Sequence, residues 1–359
     1  MSKALRVRVR GWLRGGSRSP LWPTAVVLVT AVAVCAAAPL LAPHDPNAQP
    51  DPFGGRLQPP GTELQAIALE RGGWMLADRV ERTGDGLRIW RGDRIETLDA
   101  DDVANLTPDG VADRWYFPLG SDAFSRDVLS RWLYGGRLSI LIGVCSVALS
   151  LILGLGVGAT AALGGRAADA ILMRIVDGIL SVPWFFLLIA LRAVLPPSTL
   201  ILIIVLGATS WMGIARLARS EIMSLRQRDF VHAARGLGLR ETTVFLRHIL
   251  PNAATPLAVS AVLTVGYVIV AEAALSFLGL GVPTPHASWG TMIEDGRHHM
   301  ARAWWLLSLP AGGLVALVLT LHLFADRLRD AMDPRRRTPA SPSPFARPSA
   351  GPSSVHADQ

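Results

Sequence analysis

The sequence predicts an all-α integral membrane protein of six transmembrane helices, with a small β-rich extracytoplasmic insertion after the first. Three observations carry that expectation. Half of the 359 residues are hydrophobic and only 18% are charged, a balance that a soluble domain struggles to keep in solution. Charge is also segregated: Leu138 to Leu163 carry none, whereas the N-terminus, Arg216 to His248 and the C-terminus are rich in arginine. Finally, six apolar runs start near Leu21, Leu138, Ile171, Thr199, Pro256 and Trp304, and they approach or reach the ~20 residues needed to cross the hydrocarbon.

Residues 1–20 form a basic tail with Lys3, Arg6, Arg8, Arg10, Arg14 and Arg18, and residues 21–43 the first span. The tail resembles the start of a signal peptide. The apolar stretch is longer than a typical leader core, however, and Pro39 to Pro43 offers no small-x-small cleavage site, so an uncleaved span is expected. With that tail cytoplasmic, six spans put the Arg166 turn, the Arg216 to Arg247 segment and the Arg327 to Arg337 tail on the same side, in accord with the positive-inside bias. Both termini are then expected to be cytoplasmic.

Residues 44–136 are too many for a connector and read as a folded extracytoplasmic insertion. Alternating patterns around Leu64 to Leu69, Trp74 to Val80, Leu87 to Trp90 and Arg94 to Leu98, broken by Arg71-Gly72-Gly73 and Arg91-Gly92-Asp93, predict two β-hairpins. The Arg-Gly-Asp tripeptide is read as a tight turn rather than an adhesion signal. Residues 137–328 form the spanning core, which includes a long polar loop at 216–254. Residues 329–359 are a cytoplasmic tail, Pro-, Ser- and Ala-rich beyond Thr338 and expected to be disordered.

Several function classes are disfavoured. The net charge of +7 comes with no basic-aromatic module, so no nucleic acid is expected. Cys35 and Cys145 both lie in apolar runs and imply no disulfide framework or thiolate site. Lys3 is the sole lysine and stands between Ser2 and Ala4, so the chain lacks the Gly-Lys-Ser/Thr step of a phosphate loop. His286, His298 and His299, near Glu294 and Asp295, do not complete a convincing ligand set, and no metal is expected. Glu272 at membrane depth needs a partner or water; pairing with a second subunit, pairing at a span end and substrate contact all stay open. Gly154, Gly156 and Gly158, with Ala159, Ala161 and Ala162, allow close helix approach, with packing inside the chain preferred over a dimer seam.

The most informative stretch runs from Asp229 to Asn252. Asp229 is an expected N-cap for a helix over Phe230 to Leu237, Gly238 can take the left-handed conformation that ends it, and a second helix from about Arg240 should stop before Pro251. Ala233, Ala234 and Gly238 then leave one edge nearly free of side chains, suited to lie against another protein.

Ala233-Ala234, Gly238 and Leu250-Pro251 resemble, without gaps, the EAA loop of ABC importer permeases. Two positions depart: His232 stands where Glu is usual, and His248 where Ile is usual. His248-Ile249-Leu250-Pro251-Asn252 resembles the form found in the dipeptide, oligopeptide and nickel branch. So do Leu119-Gly120-Ser121-Asp122 with Arg126 to Arg131, Tyr134-Gly135-Gly136-Arg137, and Glu272 to Gly281 with Ser288-Trp289-Gly290.

The resemblance implies the type I importer permease fold and a non-catalytic transport subunit, with Asp229, His232, Ala233, Ala234, Arg235, Gly238, His248, Leu250 and Pro251 forming the contact to an ATPase. It further implies a second homologous permease, two ATP-binding subunits carrying ATP and Mg, an extracytoplasmic solute-binding protein and membrane lipid as partners, with no cofactor bound by this chain. Arg235, Arg240 and Arg247 are read as facing either acidic rims on the ATPase or anionic lipid headgroups. With Asp229 as N-cap, a Glu at 232 would cap back onto its amide, which His232 does less well. A gradient-driven secondary transporter or channel is the rival class, and it gives no reason for such an elbow; a membrane enzyme would need a catalytic constellation that is not recognisable here.

Overall fold

The computed structural model describes residues 21–83, 86–92, 94–104 and 113–332; the expected basic N-terminal tail, Asp93 and the C-terminal tail from residue 333 lie outside the described residues. The chain opens with α1 (Trp22–Ala36) and, after Ala37, a single turn α2 (Ala38–Leu41). At 1.5 Å per residue, the 15 residues of α1 reach about 22 Å, short of the roughly 30 Å of hydrocarbon.

Among the described residues between α1 and the next long helix lie six strands: β1 (Thr62–Ala68), β2 (Trp74–Ala77), β3 (Arg79–Thr83), β4 (Gly86–Arg91), β5 (Arg94–Asp99) and β6 (Asp113–Phe117). They form two antiparallel three-stranded sheets ordered β2-β1-β6 and β3-β4-β5. Both expected hairpins are present, and each is extended by a third strand. What differs is the extent of the second strand: the Trp74 to Val80 run is split at Asp78, whose N–H donates to the Trp90 carbonyl (2.9 Å) and whose carboxylate accepts from Gly92 N (2.6 Å). β2 therefore ends at Ala77, and β3 pairs with β4.

β1 is covered on both faces. Leu64 and Ala66 pack with Leu76 and Phe117, and Ile67 packs with Val80, Leu87 and Ile89 of the other sheet. Asp51 also ties the sheets together, accepting from Leu76 N (2.9 Å) and pairing with Arg91, whose Nε donates to the Leu76 carbonyl (3.1 Å).

The helical part comprises α3 (Val128–Leu163), α4 (Gly165–Leu180), α5 (Trp184–Val194), α6 (Thr199–Arg226), α7 (Asp229–Gly236), α8 (Glu241–Val244), a π-turn (Phe245–Ile249), α9 (Leu250–Phe277), α10 (Trp289–Arg297) and α11 (Trp305–Met332). Among the described residues four elements are long and apolar enough to cross a membrane: α3, α6, the run Glu241–Phe277 and α11. The pair α4–α5, bent by 78°, makes a fifth if it crosses as one span. Among the described residues the expected count of six is therefore not reached by length and composition: α1 is short, and the run that begins near Ile171 is broken at Pro183, which has no N–H to give.

α3 and α6 pack most intimately, and glycine sets how close they come. A Cβ on Gly154 would lie 2.8 Å from Ile214 Cβ, and one on Gly158 2.5 Å from the Ala215 carbonyl oxygen, whereas one on Gly156 would meet nothing within 4 Å. Two of the three glycines therefore serve packing within the chain, and Gly156 faces away. Ser146 and Ser150 reinforce the contact by donating to the Ile203 (3.1 Å) and Gly207 (2.8 Å) carbonyls of α6. Such bonds satisfy hydroxyls that have no water to turn to in hydrocarbon.

Candidate functional site: an elbow rooted in the spanning helices

Residues 228–252 fold as a bent pair of short helices whose inner face belongs to the spanning helices. Val231, Ala234, Val244 and Ile249 join Ala162 of α3, Ile214, Ala218 and Ile222 of α6, and Ala253 and Leu257 of α9 in one buried cluster. Burying each of the larger aliphatic side chains contributes about 1.5–3 kcal/mol. Across the bend, Arg235 donates to both carboxylate oxygens of Glu241 (2.7 and 3.1 Å). That exposed pair is worth about 0–1 kcal/mol, so apolar packing is what holds the elbow on the bundle.

The helix α7 starts one residue earlier than expected. Arg228 is the N-cap by its extended backbone, with no side-chain cap bond, and its carbonyl accepts from the amides of Val231 (2.9 Å) and His232 (3.2 Å). Asp229 is therefore the first helical residue rather than the cap. His232 is the fourth, so a Glu there would not complete a reciprocal cap. At the other end Gly238 has φ +80° with open space around it, the left-handed conformation that closes a helix.

The expected second helix does not stop before Pro251. Glu241–Phe277 runs on as one 37-residue element through the π-turn, in which Leu250 N donates to the Phe245 carbonyl, and Pro251 enters α9 in its first turn, where a missing N–H costs little. The elbow is thus continuous with a spanning helix.

Ala234 is a further correction. It is only 5% exposed, facing the cluster inside the chain, so it cannot form part of an open edge. Arg235 pairs with Glu241 within the elbow. His232, Ala233 and Gly238 are exposed, Pro251 is exposed, and His248 and Leu250 are half-buried. The His248 carbonyl accepts from Asn252 Nδ2 (2.6 Å). Sequence reasoning did not single out Phe230 (43% exposed), Leu237 (84%) and Leu246 (60%), which together with Ala233 give this outer surface an apolar character. Large apolar residues on short helices of an otherwise arginine-rich loop were the available signal.

Elsewhere, Glu272 is fully buried and faces three serine hydroxyls of its own chain. Among the described residues no group of three or more His, Cys, Asp or Glu side chains is placed to hold a metal ion. Asp295 instead meets Arg126 (3.4 Å) and Arg131 (3.7 Å). Burial pushes the Asp295 carboxyl above its ordinary range, against the pull of Arg131 and Arg126.

Several apolar spans, one of them continuous with a bent elbow, make this a multi-span membrane protein. Residues 151–338 match the family described as the binding-protein-dependent transport system inner membrane component, and the chain belongs to that family: it is a permease subunit of an ABC importer. A di/tripeptide transport system permease protein of Pseudomonas aeruginosa is 40% identical over 224 residues, covering 62% of this chain and 74% of the relative. A candidate peptide permease of Brucella ovis is 42% identical over 226 residues, covering 62% and 75%. Among solved structures, a chain of the MetNI methionine ABC transporter in an inward-facing crystal form overlaps 56% of this chain and 95% of its own length, at 18% identity and TM-score 0.48.

Proposed function

We propose that this chain is one of the two permease subunits of a peptide importer, and that its elbow is the seat of an ATP-hydrolysing partner. Peptides are the proposed cargo because the relatives at about 40% identity carry peptide names. In this reading two ATP-binding subunits hold ATP and Mg, a second homologous permease completes the path, an extracytoplasmic binding protein delivers the solute, and both termini are cytoplasmic. The arginines around residues 216–247 support that orientation.

The observation that carries the proposal is the asymmetry of the elbow. Its inner face is locked into α3, α6 and α9, while its outer face presents Phe230, Ala233, Leu237 and Leu246 to whatever lies beyond the bundle. A partner gripping that face can shift the permease between inward- and outward-open forms only by its differential affinity for the two. A loose joint would waste that difference, and the buried root makes it tight.

The test is co-purification of the assembled importer from membranes with wild-type and Ala233→Trp chains. The ATPase should remain with the wild type and be lost from the variant. Retention at wild-type strength in the variant would refute the docking role, and binding of non-peptide solute alone by the partner binding protein would refute the cargo.

A further inference from the structure

Glu241–Phe277 begins in the elbow and carries a buried carboxylate near its other end. At 1.5 Å per residue, Glu272 lies about 40 Å along the axis from Val244. Its Oε1 accepts from Ser276 Oγ (2.7 Å) of the same helix and from Ser288 Oγ (2.7 Å), and its Oε2 accepts from Ser139 Oγ (3.2 Å) of α3. Two of these hydroxyls are used twice. Ser288 also N-caps α10 by accepting from Thr291 N (3.1 Å), and Ser139 also accepts from Trp289 N (3.2 Å). Each of the two thus spends its single proton on Glu272 and its lone pairs on the first turn of α10. A carboxylate, acceptor-only, is the group that completes this pattern.

The packing around the joint leaves no slack. A Cβ on Gly290 would stand 2.6 Å from Ala273 Cα, one on Gly136 2.7 Å from the Trp289 ring, and one on Gly143 2.7 Å from Ile269. Trp289 Nε1 also donates to the Trp132 carbonyl (2.9 Å). At its other end α10 meets the stem of the insertion through Asp295, Arg126 and Asp122, with Arg126 Nε 2.5 Å from Asp122. Close-packed contacts of this kind transmit displacement rather than absorb it.

We infer that Glu272 is a positioning residue for transport: by binding Ser139 and the N-cap of α10, it makes α10 move with α9, so that displacement at the elbow reaches the mouth of the path and the insertion stem. The inference rests on the reading of the elbow as the ATPase seat. Its consequence is that loss of the carboxylate uncouples hydrolysis from import without releasing the ATPase.

The experiment uses the complete importer in proteoliposomes, with solute uptake and ATP hydrolysis measured together. Glu272→Ala should lower solute imported per ATP about tenfold while hydrolysis and ATPase association stay within about twofold; Ser139→Ala and Ser288→Ala, which each remove one donor, should lower it by smaller factors. Spin labels at Thr242→Cys and His299→Cys, with Cys35 and Cys145 replaced by serine, report whether the two ends move together. The distance between them should hold constant through ATP binding when Glu272 is present and change on ATP binding in the Glu272→Ala chain. An unchanged uptake-to-hydrolysis ratio in Glu272→Ala overturns the inference, as does a spin-label distance that stays constant in that variant. If the variant does not assemble, unchanged ratios in both serine variants overturn it instead. Failure of the elbow reading is seen separately, as ATPase retained by the Ala233→Trp chain.

Discussion

Adjacent alanines in α7 should respond in opposite ways to the same enlargement. Ala234 is packed among Ile222, Val244 and Ile249 with 5% of its surface exposed, whereas Ala233 is exposed. Forcing extra volume into a packed site costs about 1–3 kcal/mol, and sometimes more; indole in place of a methyl belongs at the upper end or beyond. At Ala233 the same indole enters open space, where surface substitutions change stability by about 0.5 kcal/mol or less. The assay is thermal unfolding of the purified permease in detergent, followed by limited proteolysis at the arginines of the elbow. Ala234→Trp should lower the midpoint and open the elbow to cleavage, and Ala233→Trp should do neither while abolishing ATPase binding. Equal thermal stability of the two variants would refute the assignment of faces.

Three further outcomes are expected. Gly238→Ala forces a Cβ into a backbone at φ +80°, a strain of about 1–3 kcal/mol, and should speed cleavage between Gly236 and Arg240 without a spatial clash to relieve. Gly158→Ala should loosen α3 from α6, lowering the thermal midpoint, since its Cβ would meet the Ala215 carbonyl oxygen at 2.5 Å; Gly156→Ala, with nothing within 4 Å, should be neutral or slightly stabilising. Arg91→Ala leaves the mostly buried Asp51 without its cation, and breaking such a pair costs about 3–5 kcal/mol, so the insertion should become protease-sensitive while the spanning helices remain protected.

The spanning helices were legible because hydrocarbon imposes a length and a polarity that single residues cannot evade. The turn at Gly238 was legible because few residues besides glycine accept its backbone. What the sequence hid depended on partners distant in the chain. An eight-residue helix makes barely two turns, so Val231 and Ala234 mark its inner face only once Ile222 and Ile249 are known to meet them. Asp78 reads as one polar residue in an alternating run, and its bonds to Trp90 and Gly92 are what split the strand. The run from Ile171 read as one span, and the 78° bend between α4 and α5 did not show in its apolar pattern. Ser139, Glu272 and Ser288 converge from three separate stretches, and no local pattern joins them.

The account stands on an ATPase gripping the outer face of the elbow, and uptake into proteoliposomes measures it most directly. Vesicles holding both permeases should accumulate peptide delivered by the binding protein only when the ATPase and ATP are present, and should stop when Ala233→Trp replaces the wild-type chain. Accumulation by the permeases alone, driven by an ion gradient, would contradict it.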